Sequence, residues 1–300
     1  MIASVSSREA DCIESSHWRV VAASAQGSAH ISQQKPCQDA FAIRTTDSGW
    51  IVAIVADGAG SAEFAEVGAA LVVDILATHL VSNLPTESAT SSSTLAESFR
   101  HILESGIQKA RRELAERQLG ELVSRGPNDP ELTAIIEQRK HDEAGDAIHS
   151  RLLRKYHATL VGTVAGPSGG LFFHIGDGAG VATRADNLES YVLSEPRNGD
   201  SSEETYFFTE RDWKDNLRVA DFGAEHDLLV LMSDGAMVFA MAPKLKGLHV
   251  PFIAPINKFM RDNWSATAGV ALRNTLDSEQ SRNLTPDDKT LIWILRRSAA

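Results

Sequence analysis

Six aspartates carry the chemistry that can be read from this sequence, and their positions share one grammar. Asp57 ends the apolar run "WIVAIVA", Asp177 follows "LFFHIG", Asp234 follows "LLVLMS", Asp39 opens "DAFAI", and Asp287 and Asp288 stand directly before "KTLIWIL". A single Asp-Gly after a strand is ordinary turn chemistry. Three apolar strands that each end in Asp-Gly, with Asp-Asp before a fourth, call for a shared cause. Carboxylates after one strand and before its antiparallel neighbour lie on the same edge of a sheet, so these acids can converge. Gathered oxygen ligands suit a hard divalent cation such as Mg²⁺ or Mn²⁺, and without nearby His or Cys clusters the set does not suit zinc.

The sharpest local expectation concerns Asp39 and Asp57. "FAIRTTDSGWIVAIVA" reads as two strands around the turn "TDSG". If the hairpin is centred on Ser48, Asp39 falls opposite Asp57. Like charges directly across a strand pair repel, so the pairing makes sense when a cation sits between them.

The elements that must position these acids follow from periodicity. "WRVVAASAQG" (18–27), "FAIRTT" (41–46) and "WIVAIVA" read as strands. Phe64, Val67, Leu71, Val72, Ile75 and Leu76 recur at helical spacing, giving a helix with one buried face that ends near Asn83. "PTESATSSST" is a polar connection, and a second amphipathic helix runs from Leu95 to about Leu122, where "SRGPNDP" breaks it. "HATLVGTVAG" and "LFFHIGDG" flank "PSGG" as a hairpin, and "GVATRA" and "SYVLSE" continue the strand pattern. "DLLVLMSDGAMVFA" is a further strand, a helix occupies roughly 252–277, and "LTPDDKTLIWILRR" closes with a strand. Hairpin-linked strands separated by blocks of helices give an α+β class. The expected organisation is a polar leader over 1–17 and a single domain over 18–297. Within that domain a charged helical insertion is expected at about 123–155 and a surface flap at about 195–225.

Composition narrows the partners. The 29 basic and 40 acidic residues give a net charge of −11 with no basic block, which speaks against a nucleic-acid binder. The longest unbroken apolar runs fall well short of the roughly 20 residues that cross a bilayer, so no membrane span is expected. "MIASVSSREADCIESSHW" lacks an export signal pattern, which points to the cytoplasm. Cys12 and Cys37 have no C-x-x-C spacing and read as reduced thiols.

With these residues in view, the chain resembles the metal-dependent serine/threonine protein phosphatases of the 2C type, in particular their bacterial branch. "CQDAFAI", "IVADGAG", "HATLVGTV" with "HIGDGAG", "LMSDG" and "PDDKTLIWI" match the family's motifs in order and spacing over roughly 20–297. The resemblance implies a central antiparallel β-sandwich flanked by helices on both faces, with a centre for two Mn²⁺ or Mg²⁺ ions and a more loosely held third. By matched position Asp57 bridges the two metals, the Gly58 carbonyl completes one, Asp234 and Asp287 hold the first, Asp39 acts nearby through bound water, and Asp177 belongs to the third. The reaction implied is attack of a metal-bridging water on phosphoserine or phosphothreonine. The partners implied are a phosphorylated protein and a cognate serine/threonine kinase, in signalling.

Two positions depart from the family pattern. Ala59 stands where members often carry a His that protonates the leaving group, and Gln34 where many carry an Arg that grips phosphate. Lys35 and His30 are the neighbouring candidates for phosphate binding. The departures leave open a catalytically weak or inactive relative that binds phosphoproteins. A different phosphotransfer enzyme is disfavoured, because "DGAGSAEFAEVG" has neither G-x-G-x-x-G nor a P-loop Gly-Lys-Ser/Thr.

Overall fold

In the computed structural model, which describes residues 9–85, 92–139, 146–197, 205–262 and 264–297, the chain begins with strands β1 (Ala10–Glu14) and β2 (Trp18–Ala25). A short helix α1 (Ser28–Gln33) leads to β3 (Asp39–Thr45) and β4 (Ile51–Asp57). Four helices follow: α2 (Ala65–Asn83), α3 (Ser92–Ser124), α4 (Pro130–Arg139) and α5 (Asp146–Leu153). Next come β5 (Leu160–Gly166), β6 (Gly169–Ile175), β7 (Ala179–Arg184), β8 (Asn187–Ser194), α6 (Trp213–Asn216), β9 (Arg218–Gly223) and β10 (Leu228–Met232). Helices α7 (Asp234–Ala240), α8 (Val250–Asp262), α9 (Ala268–Leu276) and α10 (Glu279–Leu284) precede the closing strand β11 (Lys289–Arg296).

The strands form two antiparallel sheets, ordered β1-β2-β11-β10-β7-β8 and β3-β4-β5-β6-β9. Strand alternation explains why the central strands are apolar at every position. In β4, Ile51, Ala53 and Val55 face the other sheet and pack, with Phe172 of their own sheet, in one cluster with Trp18, Leu231 and Ile292. Val52, Ile54 and Ala56 face the opposite way, into a core shared with α2 and α3. Strands β2, β10 and β11 behave alike, sending Val21, Val230 and Trp293 outward against α7, α8 and α9. Period-2 alternation with both faces covered leaves no polar side on these strands. The result is the four-layer α-β-β-α arrangement of the expected α+β class.

The first hairpin has the expected register, with Thr45 opposite Ile51 and Asp39 opposite Asp57. The second hairpin closes through the two residues between Gly166 and Gly169. Several elements differ from the sequence expectation. The polar leader contributes β1, an edge strand paired with β2. The flap region is only partly irregular, since β9 pairs with β6 at the edge of its sheet, and Phe208 and Trp213 are buried. The single helix expected near 252–277 is three helices over 250–284. In the insertion, Leu132, Ile135, Ile148 and Leu152 join the core around α3 rather than staying peripheral. Part of the polar connection near 85–94 lies outside the described residues.

Helix α2 is buried on more than one face because α3 covers the side turned away from the sheet. It is long and apolar enough, by length and composition, to cross a bilayer, contrary to the expectation that no segment would be. Its apolar residues are used up internally: Ala65, Ala69, Val72, Leu76 and Leu80 are fully buried between β3, β4 and α3. Gly68 lets the first turns of α2 approach the chain at Tyr156, where a Cβ would collide with the Tyr156 carbonyl oxygen. Gly68→Ala should therefore destabilise the protein by roughly 1–3 kcal/mol through overpacking, although alanine alone favours a helix by about 1 kcal/mol. Denaturant unfolding measures this, and a stabilised variant would show that the contact relaxes freely.

Candidate functional site

Each acid reaches the site because a strand end or tight corner puts it there. Asp39 begins β3 and is almost completely buried, with its Oδ2 accepting from Ser233 Oγ at 2.7 Å. Asp57 ends β4, where its amide donates to Thr159 Oγ1 (3.1 Å) and its carbonyl accepts from the Thr159 amide (2.8 Å). The next residue must be glycine, because a Cβ on Gly58 would stand 2.8 Å from the Ala65 carbonyl. Asp177 follows the left-handed Gly176 (φ 113°), and its Oδ2 accepts from Thr205 Oγ1 at 2.5 Å. Asp234 opens α7 and accepts from the Gly235 amide at 2.5 Å, while Asp287 accepts from the Asp288 amide at 2.9 Å.

Asp57, Gly58, Asp177, Asp234, Asp287 and His30 line one open cavity of about 820 Å³ at this end of the sandwich. Asp39 is not in the cavity wall but sits behind it, paired across the hairpin with Asp57. Lys35 does not itself line the cavity, but it reaches the backbone of Gly60, which does. Helix α1 ends with Gln34 in the left-handed conformation (φ 56°), and Lys35 Nζ donates to the Gly60 carbonyl at 3.3 Å.

Burial and mutual repulsion make this an unfavourable place for so much negative charge. Desolvation, followed by the carboxylates of Asp39 and Asp234, holds the Asp57 carboxyl well above its ordinary pKa. Asp39 is raised for the same first reason, with Asp288 adding to it. Burial pushes Asp234 up to about 6, helped by Asp177 and Asp287, and burial also raises Asp287. Among the described residues no group of three His, Cys, Asp or Glu side chains stands as a ready-made metal cage. The donor set nevertheless fits a hard cation. It is all oxygen, no lysine or arginine lines the cavity among the described residues, and Asp39 Oδ1 is buried with no hydrogen-bond partner.

Sequence reasoning named Asp288 among the strand-end acids without giving it a role, and missed the far wall of the cavity altogether. Asp288, nearly fully buried, ties three segments together: its Oδ1 accepts from the Gly27 amide (2.6 Å), and its Oδ2 from the Gln38 amide (2.6 Å) and His30 Nδ1 (2.8 Å). Only its place in "PDDK" hinted at this. Thr205, Tyr206, Phe207, Glu210 and Asp212 form the far wall of the cavity, and nothing in their spacing marked them. That wall is fastened from below. The His157 ring stacks on Phe207 at 4.9 Å and its Nδ1 meets Thr209 Oγ1 at 2.6 Å, while Arg111 donates to the carbonyls of Phe208 (2.6 Å) and Glu210 (2.7 Å).

Comparison with known proteins agrees with this architecture. The family described as Protein phosphatase 2C matches residues 26–277. The chain belongs to that family. It is 28% identical over 291 residues to serine/threonine-protein phosphatase 3 of Escherichia coli K12, covering 93% of this chain and 98% of the relative. Its fold is shared with RsbX, solved in complex with magnesium (TM-score 0.54, 12% identity, 96% of this chain and all of the other). It is also shared with PppA of Pseudomonas aeruginosa (0.54, 15%, 96% and 100%) and phosphatase Stp1 of Staphylococcus aureus (0.53, 13%, 93% and 95%). The family resemblance read from the five motifs is thereby established, and with it membership of a serine/threonine phosphatase family.

The raised carboxyls fix a sign for stability against pH in the metal-free protein. A carboxyl whose folded pKa lies above its unfolded value binds its proton more tightly in the folded state, so stability falls as pH rises from the unfolded value through the folded one. For Asp234 that window runs from the ordinary 3.8 to about 6, and Asp39 and Asp57 extend it upward. Melting temperature without metal should drop across this range, and Asp39→Asn should raise it at neutral pH by removing a buried charge. A metal-free protein that gains stability from pH 4 to 7 through these groups would contradict the electrostatic picture.

Proposed function

We propose that the chain is a protein phosphatase that hydrolyses phosphoserine and phosphothreonine with the help of Mn²⁺ or Mg²⁺. One observation supports this most strongly. Carboxylates from the ends of β4, β6 and β10 and from the start of β11 line one cavity, with Asp39 of β3 buried behind them. In this reading Asp57, Gly58, Asp234 and Asp287 hold a pair of cations, Asp39 supports them from behind, and Asp177 takes a looser third. Bound there, such ions lower the pKa of a water and offset charge on phosphoryl oxygens.

The chain's own residues do the rest. The rigid strand ends fix where the carboxylate oxygens point, so that positioning is supplied before substrate arrives. Tyr206 and Phe207 add aromatic surface to a far wall that also carries Glu210 and Asp212. The cavity's width and openness suit a side chain presented on a protein surface. Residues 18–297 act as one catalytic unit in this reading, working in the cytoplasm on a phosphoprotein made by a serine/threonine kinase.

Hydrolysis of a phosphothreonine peptide should require Mn²⁺ or Mg²⁺ and stop with a chelator. Activity that survives the chelator would overturn the reading, and no activity with any divalent metal would favour a phosphoprotein-binding module. Asp57→Asn should lower the rate by orders of magnitude, since it removes charge shared by the paired ions; a near-normal rate would remove Asp57 from its role. Asp177→Ala should slow turnover while leaving tight metal binding in place by calorimetry. Loss of the tight sites would place Asp177 in the core pair.

A further inference from the structure

The cavity wall contains many acids, yet no lysine or arginine is among the described residues that line it. His30 is the only lining side chain there that can carry positive charge. Its ring is held firmly: Nδ1 lies 2.8 Å from Asp288 Oδ2, and the side chain is only 12% exposed. Asp288 is itself fixed by the amides of Gly27 and Gln38, one on each side of α1. The contact at Nδ1 fixes the orientation of the ring, and Nε2 is the ring nitrogen left for the cavity. The contact joins the residue before β11 to the first turn of α1, which makes it a tertiary constraint rather than a local one.

From this geometry we infer that His30 is the proton donor to the departing alcohol, with Asp288 as its positioning residue. The inference rests on the phosphatase reading above and extends it. The water oxygen bonds to phosphorus as the bond from phosphorus to the serine or threonine Oγ breaks. The proton on His30 Nε2 passes to that Oγ, so the alcohol leaves neutral. The water gives up one proton to solvent, and His30 takes one back from solvent for the next turnover. Ala59, beside Asp57 and Gly58 in the cavity wall, has no proton to give, and the one imidazole in the described lining comes from α1.

Leaving-group dependence separates this role from phosphate binding or a structural role. A nitrophenolate departs as a stable anion, whereas a threonine alkoxide needs a proton. In the presence of Mn²⁺, His30→Ala should lower kcat for a phosphothreonine peptide by about 10²- to 10⁴-fold, and kcat for p-nitrophenyl phosphate by less than about tenfold. KM should change little for either substrate. Added imidazole should restore part of the peptide rate, and Asp288→Asn should show a weaker loss with the same bias toward the peptide. His30→Gln, which keeps a polar side chain in the turn, repeats the test if the alanine variant melts early. Equal losses on both substrates, a rise in KM alone, or no loss at all would overturn the assignment. Wild-type protein inert on both substrates would overturn the phosphatase reading itself, and this role with it.

Discussion

Repulsion between carboxylates is the constraint on which the structure turns. Asp39 and Asp57 face each other directly across a hairpin, and Asp234, Asp287 and Asp177 arrive beside them from other strand ends. No lysine or arginine lines the cavity among the described residues, and Asp39, Asp57 and Asp234 sit above their ordinary pKa, with burial as the leading cause. Local preference would scatter such groups. They stay together because each one is fixed by a backbone that the sandwich core determines.

That core explains the rigidity. Strands whose two faces are both covered cannot slip by one residue without exposing an apolar face and burying the wrong one. The register placing Asp39 opposite Asp57 is therefore enforced by Ile51, Val52, Ala53, Ile54 and Val55, all buried. The polar ties at the rim complete the arrangement. Ser233 accepts from the Thr290 amide and donates to Asp39, joining β10, β11 and β3 at one point. Asp288 does the same for β11, α1 and the approach to β3. The site is thus positioned by the best-packed part of the molecule, while its far wall hangs from Arg111 and His157 on the helical side.

Much of this was legible because it rests on strong periodic signals. "WIVAIVA" and "FAIRTT" on either side of a turn fixed both strands and their pairing, and the Asp-Gly corners marked the strand ends. What stayed hidden is weaker in physical terms. β1 and β9 are edge strands whose side chains are mostly half-exposed, so neither "ADCIE" nor "RVADFG" shows the alternation of a covered strand. The second face of α2 could not be foreseen, because its burial depends on α3. His30 and Lys35 look equivalent as nearby cations. Only the chain path through α1 puts the His30 ring in the cavity wall and leaves Lys35 bonded to the Gly60 carbonyl behind it.

Calorimetric titration of Mn²⁺ into metal-free protein at neutral pH, repeated in buffers of different ionisation enthalpy, tests the central claim most directly. If the crowded carboxylates are a cation site, two ions should bind per chain with release of protons from the raised carboxyls, and Asp57→Asn should abolish the tight binding. Absence of binding at millimolar Mn²⁺, or tight binding that is unchanged in Asp57→Asn, would contradict the account.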